Sequence, residues 1–298
     1  MVDLFKKTFF RWMEIDPFKQ AAALAYVTLF SMAPTLLIVM AVAGWVFDQA
    51  AVKGHIFGEL RGFVGDEAAR AMQTLVEKAA FSGKGTAATL WGILLVLIGA
   101  TGTWAYLKSS LNQIWCVKAK PVAGQIKDFF FTRLLSIGML IAIGFLMLVS
   151  LAISAALNAF GAYLAWYLAI PEWFLPALNT LWSVVFITLV FALIFKVMPD
   201  VKLCWGDVWI GGLFTSLLFT GGKQLIALYL GQSSVTSVYG AAGSLVILML
   251  WVYYSALILF LGAAFTKAYA DYRKVHIAPT DQAVPVHVKK VLVEGSSG

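Results

Sequence analysis

Long apolar runs alternate with polar joints along this chain, and the pattern predicts helices that cross a membrane. The first run, Gln20 to Phe47 (QAAALAYVTLFSMAPTLLIVMAVAGWVF), holds no charged residue in twenty-eight positions. At about 1.5 Å rise per residue such a helix is roughly 42 Å long, against a hydrocarbon core of about 30 Å. Pro34 has no N–H for the carbonyl four residues back, so a kink between Phe30 and Pro34 is expected. Thr28 and Ser31 are the nearby hydroxyls that can serve the freed carbonyl. Further runs at 86–113, 134–160, 177–195, 208–230 and 244–266 complete six predicted spans. The fold class expected is all-α, a polytopic six-helix membrane bundle.

The joints carry patterns of their own. Phe5, Phe9, Trp12 and Met13 recur at helical spacing among Lys6, Lys7, Arg11 and Lys19. They read either as an interfacial amphipathic helix or as a helix packed on the bundle. Residues 48–85 repeat apolar positions with the helical period, and Gly62 and Gly65 divide them into two short helices. Such a segment either covers the bundle or docks a partner. Small residues from Gly99 to Thr103 suit close helix packing in the second span. Tyr163, Trp166, Tyr167 and Trp173 form an aromatic belt, and Pro199 and Asp200 a tight polar turn. Residues 271–298, with Pro279 and Pro285, are predicted to be a disordered tail beyond an integral domain of residues 1–270.

Composition agrees with this pattern. The chain is 61% hydrophobic and 12% charged, with mean hydropathy +0.86, whereas soluble chains carry about 25% charged residues. No secretory leader is expected ahead of Gln20, because the first nineteen residues carry four basic and three acidic side chains. Sixteen of the 22 basic residues fall at one set of span ends. Five lie in the 48–85 segment, balanced there by five acids, and Lys223 is the remaining one. The asymmetry predicts that both termini are cytoplasmic and that this face meets anionic phospholipid headgroups.

Candidate chemistry is sparse. Cys116 and Cys204 stand far apart, and His55, His276 and His287 lie in predicted loop or tail, so neither a metal site nor any cofactor is expected. Gly221-Gly222-Lys223-Gln224 lacks the spacing of a phosphate-binding loop, and the spans hold no His for a nucleophilic triad. The chain is therefore not expected to be an enzyme. Lys223 is the strongest candidate, an ionisable residue inside the fifth span with no acid in any span. It either snorkels outward or faces a cavity, and in a cavity it argues for an anionic ligand rather than a carboxylate proton relay. Softer pathway candidates are Tyr26, Thr28 and Ser31, read as sharing one face of the kinked first helix with Pro34, and Thr101 and Thr103 in the second. Asn112 reads as a helix cap or interhelical bond on one view and as a ligand contact on the other.

Four stretches resemble one family, the YihY/BrkB inner-membrane proteins, formerly labelled ribonuclease BN. They are AAALAYVTLFSMAP at Ala21 to Pro34, LNQIW at Leu111 to Trp115, MPDVKLCWGDVWIGG at Met198 to Gly212 and VYGAAGSLVILMLWVYYSALILFLGAAF at Val238 to Phe265. The resemblance covers about residues 5 to 270 and implies six helices in a bacterial inner membrane. It supplies no settled activity: members are linked to transport, envelope lipid handling, salt tolerance and serum resistance. The ribonuclease label is disfavoured for want of clustered metal ligands, and no nucleic-acid partner is expected. Kinked first span, glycine-rich second and fifth spans and Lys223 lead to a transporter-like protein for a lipid or amphiphilic, anionic solute, without its own ATPase. The alternative is a non-catalytic interaction protein whose 54–81 segment docks a periplasmic partner or forms a homo-oligomer.

Overall fold

A computed structural model describes residues 2–43, 66–80, 102–120, 174–232, 243–275, 277–281 and 283–286, with separate positions from 138 to 171. The third predicted span, Thr101 and the residues beyond 286 lie outside the described residues or are only touched by them. The protein is mostly helical: α1 (Val2–Glu14), α2 (Pro17–Ala43), α3 (Asp66–Ala80), α4 (102–114), α5 (Phe174–Val197), α6 (Trp205–Gln232) and α7 (Gly243–Tyr272). Two stretches among the described residues are long and apolar enough to cross a membrane, Pro176–Val197 in α5 and Leu245–Tyr272 in α7, with mean hydropathies of 2.2 and 2.3. At 27 and 28 residues, α2 and α6 have the length to do the same, about 40 Å each.

α6 lies between α5 and α7, and its glycines set how closely they approach. A β-carbon on Gly211 would fall 1.9 Å from Thr266 Oγ1, and one on Gly262 would fall 1.9 Å from Thr215 Oγ1. The two Gly–Thr pairs are reciprocal, each helix giving one glycine and one threonine four residues apart. Thr215 and Thr266 turn their hydroxyls onto their own helices, donating to the carbonyls of Gly211 (2.6 Å) and Gly262 (2.7 Å), so neither is left unsatisfied. Further along, Gly222 makes room for the Tyr254 hydroxyl. On the opposite side Gly212 sits against the Thr188 carbonyl of α5, where the Thr188 and Ser216 hydroxyls bridge the helices at 2.7 Å. The outer face of α6 shows Trp209, Leu213, Leu217, Leu225 and Leu228, the surface that acyl chains cover in a bilayer.

α1 combines both sequence readings. Leu4, Thr8 and Ile15 are buried, and Phe5 packs near Phe214 and Phe265, so the helix is seated on the bundle. Phe9, Phe10 and Met13 remain exposed beside Lys6 and Lys7, as an interfacial helix requires. α3 turns Ala68, Ala69, Ala71 and Met72 inward against α2 and α7. These four residues face the bundle; the rest of the 54–81 segment's apolar face lies outside the described side chains.

The predicted disordered tail needs correction over residues 277–286. β4 (Ala283–Pro285) pairs antiparallel with β1 (Val117–Ala119), and β3 (Ala278–Pro279) with β2 (Val201–Lys202). α7 ends in a Schellman turn, with Val275 N–H on the Ala270 carbonyl (3.1 Å), Lys274 N–H on that of Asp271 (3.0 Å) and Lys274 in the left-handed region at φ 55°. That turn throws the chain back across the helix ends, where two exposed backbone edges await pairing. Two prolines and the shortness of each strand hid this, because the pairing is made by backbone groups rather than by a side-chain pattern.

Two predictions follow from the packing. Gly211→Ala should lower stability by about 1–3 kcal/mol through overpacking, and Thr266→Gly should restore much of it; melting in detergent with an intrinsic fluorescence readout decides. Lys274→Gly should raise stability by about 0.5–1 kcal/mol, because glycine adopts positive φ without the β-carbon clash. An unchanged or lower midpoint would show that Lys274 is not strained there.

Candidate functional site

One end of the bundle gathers the start of α2, the ends of α4, α5 and α7 and the start of α6, with α1 and both strand pairs. Four acids at this polar end each take a base from a distant segment: Asp200 with Lys108 (2.9 Å), Asp207 with Arg273 (2.9 Å), Asp271 with Arg11 (2.5 Å) and Asp281 with Lys202 (3.2 Å). Asp200 is the hub. Its carboxylate accepts from Asn112 Nδ2 at 2.8 Å and from Lys108, and its own N–H donates to Asn112 Oδ1 at 2.8 Å. Its carbonyl accepts the Thr280 N–H from the returning tail at 2.9 Å. At the turn after Pro199, Asn112 on the last turn of α4 answers both the carboxylate and the N–H of Asp200, while its carbonyl takes Thr280.

Beside this hub lies a cavity of about 510 Å³ lined by Lys108, Ser109, Asn112, Gln113, Cys116, Lys118 and Asp200, with Ala105, Val117, Ala119 and Val286. Charged, hydroxyl and amide groups share the wall with aliphatic ones. A second network fixes α4 against α2: Gln20 Oε1 accepts from the Tyr106 hydroxyl (2.7 Å), with the Ser110 hydroxyl 3.0 Å away, and Gln20 Nε2 donates to Gln113 Oε1 (2.9 Å). That bond uses the Gln113 carbonyl oxygen, and Gln113 also lines the cavity. Lys267 of α7 reaches the Ile114 carbonyl at 3.1 Å and lies 3.1 Å from Cys116 Sγ, tying the α4 exit to a third helix.

The sequence candidates scatter. Asn112 joins the hub as an interhelical bond and lines the cavity at the same time. Lys223 lies half-buried on α6 and is engaged in an interaction of its own, so it is not the uncompensated cation the sequence suggested. Tyr26 and Ser31 do not share a face. Tyr26 is exposed and stacks near Phe30, while Ser31 is buried beside Gly102, because five residues turn a helix by about 140°. The Ser31 hydroxyl donates to the Val27 carbonyl (2.8 Å), four residues back, and not to that of Phe30. Thr28 is half-buried, and the Thr103 hydroxyl is buried with no hydrogen-bond partner among the described residues. α2 runs unbroken as helix through Pro34, whose side chain lies outside the described residues. Sequence reasoning passed over Lys108, Asp200 and Gln20. The available signal was the few acids set among many bases at one end, each an invitation to pair.

Long apolar helices, lipid-facing outer residues and a polar end stitched by ion pairs define a helical membrane protein. A family model described as Virulence factor BrkB matches residues 8–285, and the chain belongs to that family. Relatives named UPF0761 membrane protein include one from Cronobacter sakazakii, 29% identical over 287 residues, which are 92% of this chain and 92% of the relative. One from Stenotrophomonas maltophilia is 30% identical, covering 88% of this chain and 60% of the relative. One from Verminephrobacter eiseniae is 29% identical, covering 83% and 57%. The chain thus spans little more than half the length of several relatives that it resembles. No solved structure matches it.

The hub makes a direct prediction. Lys108→Met should cost about 3 kcal/mol by stranding the Asp200 carboxylate, while Lys108→Met with Asp200→Asn should recover most of that. A double-mutant cycle on thermal midpoints would read the coupling, and additive losses would mean the pair does not interact.

Proposed function

We propose that the protein is a transporter-like component of the bacterial inner membrane that moves a lipid or other amphiphilic, anionic solute without an ATPase of its own. The observation that carries this reading is the cavity at the polar end, where Lys108, Lys118, Ser109 and the Gln113 amide stand beside aliphatic wall residues. An anionic headgroup meets donors there, and the first methylenes of its chains meet Ala105, Val117 and Val286. The basic excess at this end fits a cytoplasmic, anionic-lipid-facing side, with both termini inside and six spans in all. Lys223 is a second contact further along the path rather than its centre. The docking alternative is weakened because Ala68, Ala69, Ala71 and Met72 of α3 are already seated on α2 and α7.

Proteoliposomes carrying fluorescent phosphatidylglycerol or phosphatidylcholine test the reading. Wild type should move the anionic lipid faster than the neutral one, and Lys118→Ala with Gln113→Ala should slow it about tenfold, the effect of losing roughly 1.4 kcal/mol of headgroup contact. Equal, negligible movement of both lipids by both proteins would reject transport.

A further inference from the structure

We propose that residues 277–281 and 283–286 are a displaceable strap that walls one side of the polar cavity, and that the amphiphile enters more fully when the strap lifts. The inference rests on the cavity being the solute site. The strap crosses two edges at once, β1 at the mouth of the cavity and β2 next to the Asp200 hub. Val286 ends it as part of the cavity wall, its N–H on the Cys116 carbonyl at 2.8 Å, and Cys116 lines the same cavity. Thr280 ends the other arm on the Asp200 carbonyl. Closing the strap therefore adds a wall and steadies the turn that presents Asp200 to Lys108 and Asn112.

What holds the strap is weak compared with the helix seams. Two of its five ladder positions are prolines, Pro279 opposite Val201 and Pro285 opposite Val117, and neither can donate to the partner strand. Its ion pair, Asp281 with Lys202, is 94% and 62% exposed at the two side chains, where such pairs contribute little. Lys120 adds a bond from its ammonium to the Asp281 carbonyl (2.8 Å), also exposed. Ala283 is the one strap side chain that is fully buried among the described residues. Ala283 belongs to the buried core and Ile277 packs against it, but beyond these two the strap is held by exposed backbone and ionic contacts, the marks of a unit that opens locally while the rest stays folded. The Schellman turn at Lys274 fixes its root, so the strap pivots there and leaves α7 intact.

A disulfide across the ladder tests this. Lys202 and Ala278 are register partners, with α-carbons expected about 4.5–5.5 Å apart, inside the roughly 4.4–6.8 Å that a disulfide spans. In proteoliposomes of fluorescent phosphatidylglycerol, Lys202→Cys with Ala278→Cys should move lipid about tenfold slower when oxidised than when reduced, the size of an effect near 1.4 kcal/mol. Wild type taken through the same oxidation controls for Cys116 and Cys204. The opposite variant, Thr280→Pro with Val286→Pro, removes both anchoring donors and should move lipid at least as fast as wild type. Transport that ignores the disulfide, or a released variant as slow as the locked one, overturns the strap while leaving transport standing. Absence of lipid movement in every form, reduced wild type included, rejects the transport reading and the strap's gating role with it.

Discussion

Close approach of α6 to its two neighbours is the constraint on which the rest depends. In lipid the apolar side chains of a helix gain nothing by leaving the acyl chains for one another, so packing density and hydrogen bonds must supply the attraction. Gly211 and Gly262 let Thr266 and Thr215 sit directly over opposing backbone, and Gly212 does the same toward Thr188 and Ala192. The hydroxyls of Thr215 and Thr266 are bonded to their own helices, and those of Thr188 and Ser216 meet across the gap. At these four positions the contact is dense and the hydroxyls are satisfied, where the hydrocarbon region would penalise an unpaired one at several kcal/mol. Exposed leucines and tryptophans on the remaining face of α6 then have only lipid to meet.

Order at the polar end follows from that core but uses other forces. Seam packing fixes where the helices stop, and their ends bring Lys108, Asn112, Asp200, Asp207 and Arg273 within bonding range. Asp207 illustrates the economy. It is nearly fully buried in the first turn of α6, where the helix dipole favours an acid, and Arg273 reaches it from the end of α7. Among the described residues, the non-glycine residues with positive φ, Asp16, Cys116 and Lys274, all lie at this end, each just after a helix. Tight reversals there keep the connecting segments over the helix ends, where their backbone groups pair with one another rather than with water.

Much of the helical framework was legible in the sequence because its signal is composition and period. The long uncharged runs become α2, α5, α6 and α7, and Phe5 and Phe9 mark α1 as amphipathic. What could not be read was pairing across distance. Nothing local tells Asp200 that Asn112 and Lys108 lie 88 and 92 positions upstream, or tells Ala283 that its partner is Ala119. Lys223 drew notice because a charge in an apolar run stands out, whereas Lys108, near the polar end of its run, did not. The structure reverses their weight: Lys108 borders a cavity beside a buried acid, and Lys223 already has company. The glycines of the fifth span, counted toward a transporter in the sequence, prove to be contact points between helices.

That last reversal bears on how such a protein could move anything. A seam in which an added methyl would fall 1.9 Å from a neighbouring oxygen cannot slide by small steps, since dense packing resists continuous deformation. Rearrangement is therefore cheapest where contacts are sparse, polar and near solvent. At the polar end those conditions meet in the segment after α7, whose prolines thin its ladder and whose ion pair stands in water. Rigid helices with a loosely held strap favour a mechanism in which access to the cavity changes and the helical body does not. A solute with a charged head and an apolar tail would then keep its head at Lys108 and Lys118 while its tail stays against the apolar helix surfaces, so neither part need cross a medium that rejects it.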